Sequence, residues 1–174
     1  MGDKIDDAFD WLILIIGTMN GVLIGLPEDW EAKKTMTGGV ILAFFVLVMV
    51  WLLSHLVKRE RLKVVLKMYA WFYALFMLEM FVLLFFEHTY GLVMNLSIQV
   101  FSVFPPLAFL FMALVFAVPF LFFDRLIRPA YKEIYKNSSL LYNRKLLALL
   151  CVFAFATFFV QILPSVLLGA FSPH

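Results

Sequence analysis

The chain has 174 residues, of which 64% are hydrophobic and 15% are charged, and its formal net charge is +2. A soluble protein buries one face of each helix, whereas whole segments of this chain are apolar all round, as in helices surrounded by lipid. The small charge, carried by basic residues that flank apolar segments, argues against nucleic acid as a partner. The composition therefore indicates an all-α integral membrane protein without a soluble domain.

Five apolar segments follow one another, and a crossing of the hydrocarbon needs roughly 20 residues. The first segment is marginal in length, so we expect five transmembrane helices, or four if this segment lies in the membrane interface. Its leading residues are mostly acidic, unlike the basic start of a signal peptide, and we expect the segment to be retained. The predicted helices cover about 8–26, 37–57, 64–86, 96–123 and 146–171 of a single domain, 1–174.

The basic residues predict an orientation in the cell membrane. Nearly all of the 14 Lys and Arg residues lie near the N-terminus, in or just after loop 58–63, or in loop 124–145. Only Lys33 and Lys34 lie on the opposite side of the predicted membrane. Cytoplasmic loops collect Lys and Arg, so we expect both loops and the N-terminus inside the cell and the C-terminus outside. If the first segment is interfacial, the N-terminus lies outside instead.

Residues 129–142 contain Tyr and Leu side chains that alternate loosely with Lys. This pattern favours a short amphipathic helix at the cytoplasmic interface, with Tyr and Lys at the level of the lipid headgroups. A surface that docks a protein partner is the alternative.

Three glycines in the first segment recur every four residues, at Gly17, Gly21 and Gly25, with Asn20 beside them. On a helix this spacing produces a smooth face that allows close approach of another helix, and Asn20 could donate a hydrogen bond across that contact. The neighbour is either another helix of this chain or a different subunit. In both cases the pattern predicts a tight helix contact.

Glu79 is an intramembrane carboxylate in the third segment, roughly 12 Å along the helix from its outer end. Placing a charge near the centre of a membrane helix costs about 2.5–3.5 kcal/mol on insertion scales. We expect a structural role with Gln99 or Gln161 as polar partner. An ion or proton path and a contact with another subunit are the alternatives.

Four prolines fall within the fourth and fifth segments, at Pro105, Pro106, Pro119 and Pro164. Proline removes a backbone hydrogen bond and crowds the preceding turn, so these positions predict helix kinks. The sequences around them do not resemble each other, which argues against the inverted repeats of many secondary transporters.

No group of residues predicts a reaction or a cofactor. His55, His88 and His174 do not share a depth on facing helices, as a bis-histidine haem would require. The sequence lacks the nucleophile-elbow, zinc-protease and phosphate-loop motifs, and Cys151 is a lone thiol in an apolar run. We therefore expect a protein that is not an enzyme and holds neither a metal nor a cofactor.

The leading hypothesis is a non-catalytic accessory subunit of a larger membrane complex, with an energy-transducing complex as one candidate host and other membrane subunits as partners. The alternative is a small oligomeric channel or transporter, with Glu79 near the path of an ion or proton. Unlike subunits that co-purify with the chain favour the first hypothesis, and a symmetric homo-oligomer favours the second.

Overall fold

A computed structural model describes residues 2–25, 31–90, 106–136 and 139–170. Within these ranges the chain is helical apart from short turns, and no strand occurs among them, so the all-α fold is confirmed. The α-helices are α1 (Gly2–Gly25), α2 (Glu31–Leu56), α3 (Glu60–Tyr90), α4 (Pro106–Phe122), α5 (Arg128–Ile134) and α6 (Arg144–Ala170). A π-helical turn, Phe123–Ile127, joins α4 to α5, and a 3₁₀ turn, Ser139–Tyr142, precedes α6.

Three of these helices are long and apolar enough to cross a membrane. The qualifying spans are Gly38–Leu56 in α2, Glu60–Val82 in α3 and Arg144–Gln161 in α6. These three helices make the most extensive contacts with one another. The share of the span that is buried is 72% in α3, 33% in α2 and 22% in α6. Helix α3 is therefore the central helix of the bundle.

Helix α1 lies alongside α2 and runs in the opposite direction. The ring of Phe9 is 4.0 Å from that of Trp51 near the end of α2. Two turns further along α1, a Cβ atom at Gly17 would lie 3.1 Å from Phe44, two turns earlier in α2. The start of α1 therefore meets the end of α2 and the start of α3, and we call this end of the bundle the basic end.

Helix α6 runs parallel to α3, because contacts advance together along both helices. The Tyr69 hydroxyl lies 2.6 Å from the Thr157 hydroxyl, and one turn later the Tyr73 hydroxyl donates to the Gln161 side chain. Asn143 explains where α6 begins, since its Oδ1 accepts the backbone N–H groups of the second and third helical residues at 3.1 and 3.2 Å. This N-cap starts α6 two residues before the predicted boundary.

Helix α4 runs antiparallel to α3 and is continuous with the π-helical turn and α5. Phe72 packs against Phe120 and Phe76 against Phe116, with ring centroids 6.4 and 6.2 Å apart. The π-helical turn ends two residues before Pro129. A proline ring in a regular α-helix would crowd the carbonyl four residues earlier, and a widened turn relieves that crowding. The continuous helical segment formed by α4, the π-helical turn and α5 therefore extends through Ile134.

The two predicted loops, 58–63 and 124–145, are shorter in the structure because many of their charged residues are helical. Only residues 57–59 connect α2 to α3, so most of predicted loop 58–63 belongs to the first turn of α3. Lys and Arg are good helix formers, and Glu60 in the first turn suits the positive end of the helix dipole.

The predicted loop 124–145 is likewise helical over its first half. The amphipathic helix predicted for 129–142 is not one continuous helix, since α5 ends at Ile134 and a separate 3₁₀ turn follows after Lys136. Tyr131 also points into the protein and is only 1% exposed. The ring of Tyr131, which was expected at the level of the lipid headgroups, is therefore part of the protein core.

Candidate functional site

Polar and aromatic side chains from four helices meet at the basic end of the bundle. They come from the start of α1, the end of α2, the first half of α3 and from α5. We call these seven residues the anchor cluster: Asp6, Phe9, Asp10, Trp51, Lys67, Trp71 and Tyr131.

An ion pair between Lys67 and Asp6 joins α3 to α1. The Lys67 side chain is 1% exposed, whereas the Asp6 side chain is 30% exposed. The Lys67 ammonium also lies 5.1 Å from the centre of the Trp51 ring, within the range of a cation–π contact. A buried ammonium needs a counter-charge, so Asp6 is the residue that allows Lys67 to lie inside the bundle.

Two tryptophans donate hydrogen bonds between helices in the same cluster. Trp51 Nε1 donates to Asp10 Oδ1 at 2.7 Å, which ties α2 to α1. Trp71 Nε1 donates to the Tyr131 hydroxyl at 2.9 Å, which ties α3 to α5. Burial and the nearby Asp6 carboxylate raise the pKa of Tyr131, so its hydroxyl stays protonated.

Phe9 occupies the apolar centre of the cluster. Its side chain is fully buried, and its ring packs against Trp51 at 4.0 Å and edge-on against Trp71 at 4.7 Å. Edge-to-face aromatic pairs are favourable beyond the area they bury. The acidic start of α1 is therefore held to the bundle by one aromatic residue between two polar contacts.

The donor groups of the anchor cluster are paired between helices. Each tryptophan N–H and the Lys67 ammonium has its partner on another helix. Residues within the described ranges supply no set of three His, Cys, Asp or Glu side chains that could hold a metal ion.

Glu79 lies on α3 about two turns beyond Trp71 of the anchor cluster, and its side chain is partly buried. Its Oε2 atom is buried and has no hydrogen-bond partner among the residues that the structure describes. Gln161 accepts a hydrogen bond from Tyr73, and Gln99 lies outside the described residues. A structural partner for Glu79 stays a prediction.

The glycines of α1 have different surroundings. Phe44 packs against Gly17, so this glycine makes room for a side chain of α2. Gly21 is exposed, and a Cβ atom there would meet nothing within 4 Å. Asn20 is buried and donates within its own helix, to the Ile16 carbonyl at 3.0 Å. The side-chain surroundings of Gly25 lie outside the described residues.

The prolines also occupy different positions. Pro106 is the first residue of α4, Pro119 lies inside α4, and Pro164 lies inside α6. Pro105 lies outside the described residues. The helices continue past Pro119 and Pro164, and kinks at these positions stay a prediction.

The anchor cluster was missed at the sequence level, although two signals were present. Asp6 and Asp10 are one helical turn apart and so share a face of α1. Lys67 interrupts an otherwise apolar run, where a cation usually requires a partner. Together these signals predict that an acidic helix face meets a buried cation.

In the part of the chain that the structure describes, the fold is an all-helical bundle, and three of its helices are suited to cross a membrane. Comparisons with protein-family models, with curated proteins and with solved structures found no match for the chain.

Proposed function

We propose that the chain is a non-catalytic structural subunit of a larger multi-subunit membrane complex. The observation that carries this proposal is the pairing of polar side chains across helices. These pairs are Asp6 with Lys67, Asp10 with Trp51, Trp71 with Tyr131, Tyr69 with Thr157 and Tyr73 with Gln161. In lipid such contacts hold helices together, whereas a site for catalysis or transport keeps polar groups free for its substrate.

The same proposal places the basic end of the bundle in the cytoplasm, in accordance with the positive-inside rule. Five crossings are favoured over four because α1 lies along α2 from Phe9 to Gly17 instead of across the end of the bundle. The N-terminus is then inside and the C-terminus outside. An accessibility tag at Gly2 that is protected in intact cells supports this orientation, and labelling of that tag contradicts it.

Co-purification tests the subunit proposal directly. The tagged chain is extracted from its native membrane in a mild detergent and its mass is measured by native mass spectrometry. We expect a complex that contains several unlike subunits in fixed ratio. A symmetric homo-oligomer that is free of other proteins would overturn the proposal and favour a channel or transporter.

Gly21 is the position on α1 where a partner helix is expected. Replacing Gly21 with Leu should leave the isolated chain within about 0.5 kcal/mol of the original stability, because a side chain there meets open space. The same change should release the chain from its complex, which size-exclusion chromatography of the detergent extract would measure.

Gly17→Leu is the matched control, since it overpacks against Phe44 and should destabilise the isolated chain by about 1–3 kcal/mol. A complex that is unaffected by Gly21→Leu would remove this helix face from the interface.

The alternative function is a small oligomeric channel or transporter. Its specific support is Glu79 Oε2, which is buried without a hydrogen-bond partner in the described part of the chain. Such a group is typical of ion and proton paths as well as of subunit contacts. The two functions predict different results for a variant that removes the charge of Glu79.

The structural proposal predicts that Glu79→Gln retains assembly and leaves proton flux into reconstituted vesicles unchanged. The control Glu133→Gln alters an exposed carboxylate on α5 and should have no effect in either measurement. A flux that is present in the original protein and in Glu133→Gln, but lost in Glu79→Gln, would establish transport instead.

A further inference from the structure

A groove runs along the outside of the bundle between α1 and α4, with α3 as its floor. Its volume is about 180 Å³, and its lining is apolar. The lining includes Ala8, Trp11, Ile15, Trp71, Leu75 and Phe122. One water occupies about 30 Å³ of liquid, so this groove requires a larger apolar occupant if its walls are to keep their van der Waals contacts.

Two exposed cations lie one turn beyond the lining residues, towards the basic end of the bundle. Lys4 precedes Ala8 by one turn of α1, and Arg125 follows Phe122 by three residues. At about 100° per residue, Lys4 falls within the arc of α1 that faces the groove, whereas Asp7 lies about 40° outside it. The basic end of the groove is therefore cationic.

Neither Lys4 nor Arg125 has an ion pair among the residues that the structure describes. Lys67 lies one turn before Trp71 on the floor, where Asp6 neutralises it. On the α4 side, Asp124 pairs with Arg128, which lies one helical turn later, at 2.8 Å. Arg125 is exposed between them and has no ion pair among the described residues.

We propose that this groove is a binding site for one anionic phospholipid of the membrane in which the chain is proposed to lie. One acyl chain lies along Trp11, Ile15 and Leu75, and the headgroup phosphate contacts Lys4 and Arg125. Trp11 is 65% exposed at the edge of the groove, where an indole suits the boundary between headgroups and hydrocarbon. Membrane-surface cations attract anionic headgroups, so charge decides which lipid is retained.

Native mass spectrometry of the detergent-purified chain tests this site. The chain is titrated with phosphatidylglycerol or with phosphatidylcholine of the same acyl chains. We expect one phosphatidylglycerol to be retained per chain at concentrations where phosphatidylcholine is not. The double variant Lys4→Gln/Arg125→Gln should bind phosphatidylglycerol about thirtyfold more weakly, at about 1 kcal/mol for each cation.

Two further variants separate the groove from general surface charge. Ala8→Phe fills the groove and should abolish retention of phosphatidylglycerol, and the smaller Ala8→Leu should weaken it in part. Ala8 is exposed, so both variants are expected to keep the melting temperature of the original chain. The double variant Arg59→Gln/Lys145→Gln removes two exposed cations outside the groove and should retain the lipid.

Equal retention of the two lipids would overturn the proposed headgroup contact. An equal loss in the Arg59→Gln/Lys145→Gln control would assign binding to diffuse surface charge and overturn the site, as would unchanged binding in Ala8→Phe. These measurements use the isolated chain, so their failure would not affect the subunit proposal.

Discussion

Replacing Asp6 with Asn is expected to destabilise the bundle by about 3 kcal/mol, because it leaves a buried ammonium without its counter-charge. Lys67 is 1% exposed and cannot reach water without opening the contact between α1 and α3. Breaking a buried ion pair costs about 3–5 kcal/mol. The lower value applies here because Asp6 is 30% exposed, and Lys67 retains its contact with the Trp51 ring.

Thermal unfolding in detergent measures this effect, with Asp7→Asn as the matched control. Asp7 is exposed beside Asp6, so its replacement should change the stability by no more than about 0.5 kcal/mol. Lys67→Met should cost less than Asp6→Asn, because the remaining Asp6 carboxylate can turn to solvent. The double variant Asp6→Leu/Lys67→Met should recover most of the loss, since a well-packed apolar pair often replaces a buried ion pair without penalty. Equal melting temperatures for Asp6→Asn and Asp7→Asn would contradict this role.

The helical fold was predictable from the length of the apolar segments. A backbone without water must satisfy its own hydrogen bonds, so a long apolar run becomes a helix whatever its detailed sequence. The ends of the helices were less predictable. Charged residues such as Glu60 and Arg61 were expected in a loop, yet Glu, Lys and Arg are good helix formers and continue α3 beyond its apolar part.

The candidate site was less predictable because a sequence gives the depth of a residue in its own helix but not its neighbour on another. Gly17 and Gly21 share one face of α1, yet Phe44 covers the first and no described residue covers the second. Asp6 in α1 and Lys67 in α3 have the whole of α2 between them in sequence, and only the packing of α1 against α3 brings them together. Patterns within one helix therefore identified candidates without identifying contacts.

Replacing Phe9 with Ala is expected to destabilise the bundle by about 3 kcal/mol, the lower end of the range for aromatic truncation in a core. Phe9 is fully buried between Trp51 and Trp71, so the change leaves a cavity at the junction of α1, α2 and α3. The lower end applies in the proposed membrane environment, where lipid is as apolar as the core and the loss is one of packing contacts and not of transfer from water.

Tryptophan fluorescence during unfolding measures the Phe9 effect directly, because two of the four tryptophans in the chain contact this ring. Leu14→Ala is the control, since Leu14 is 57% exposed on the same helix and should change the stability by at most about 0.5 kcal/mol. If the two variants unfold alike, Phe9 is not what holds α1 to the bundle. A loss confined to Phe9→Ala, together with the loss in Asp6→Asn, would establish that the aromatic ring and the ion pair jointly anchor the first helix.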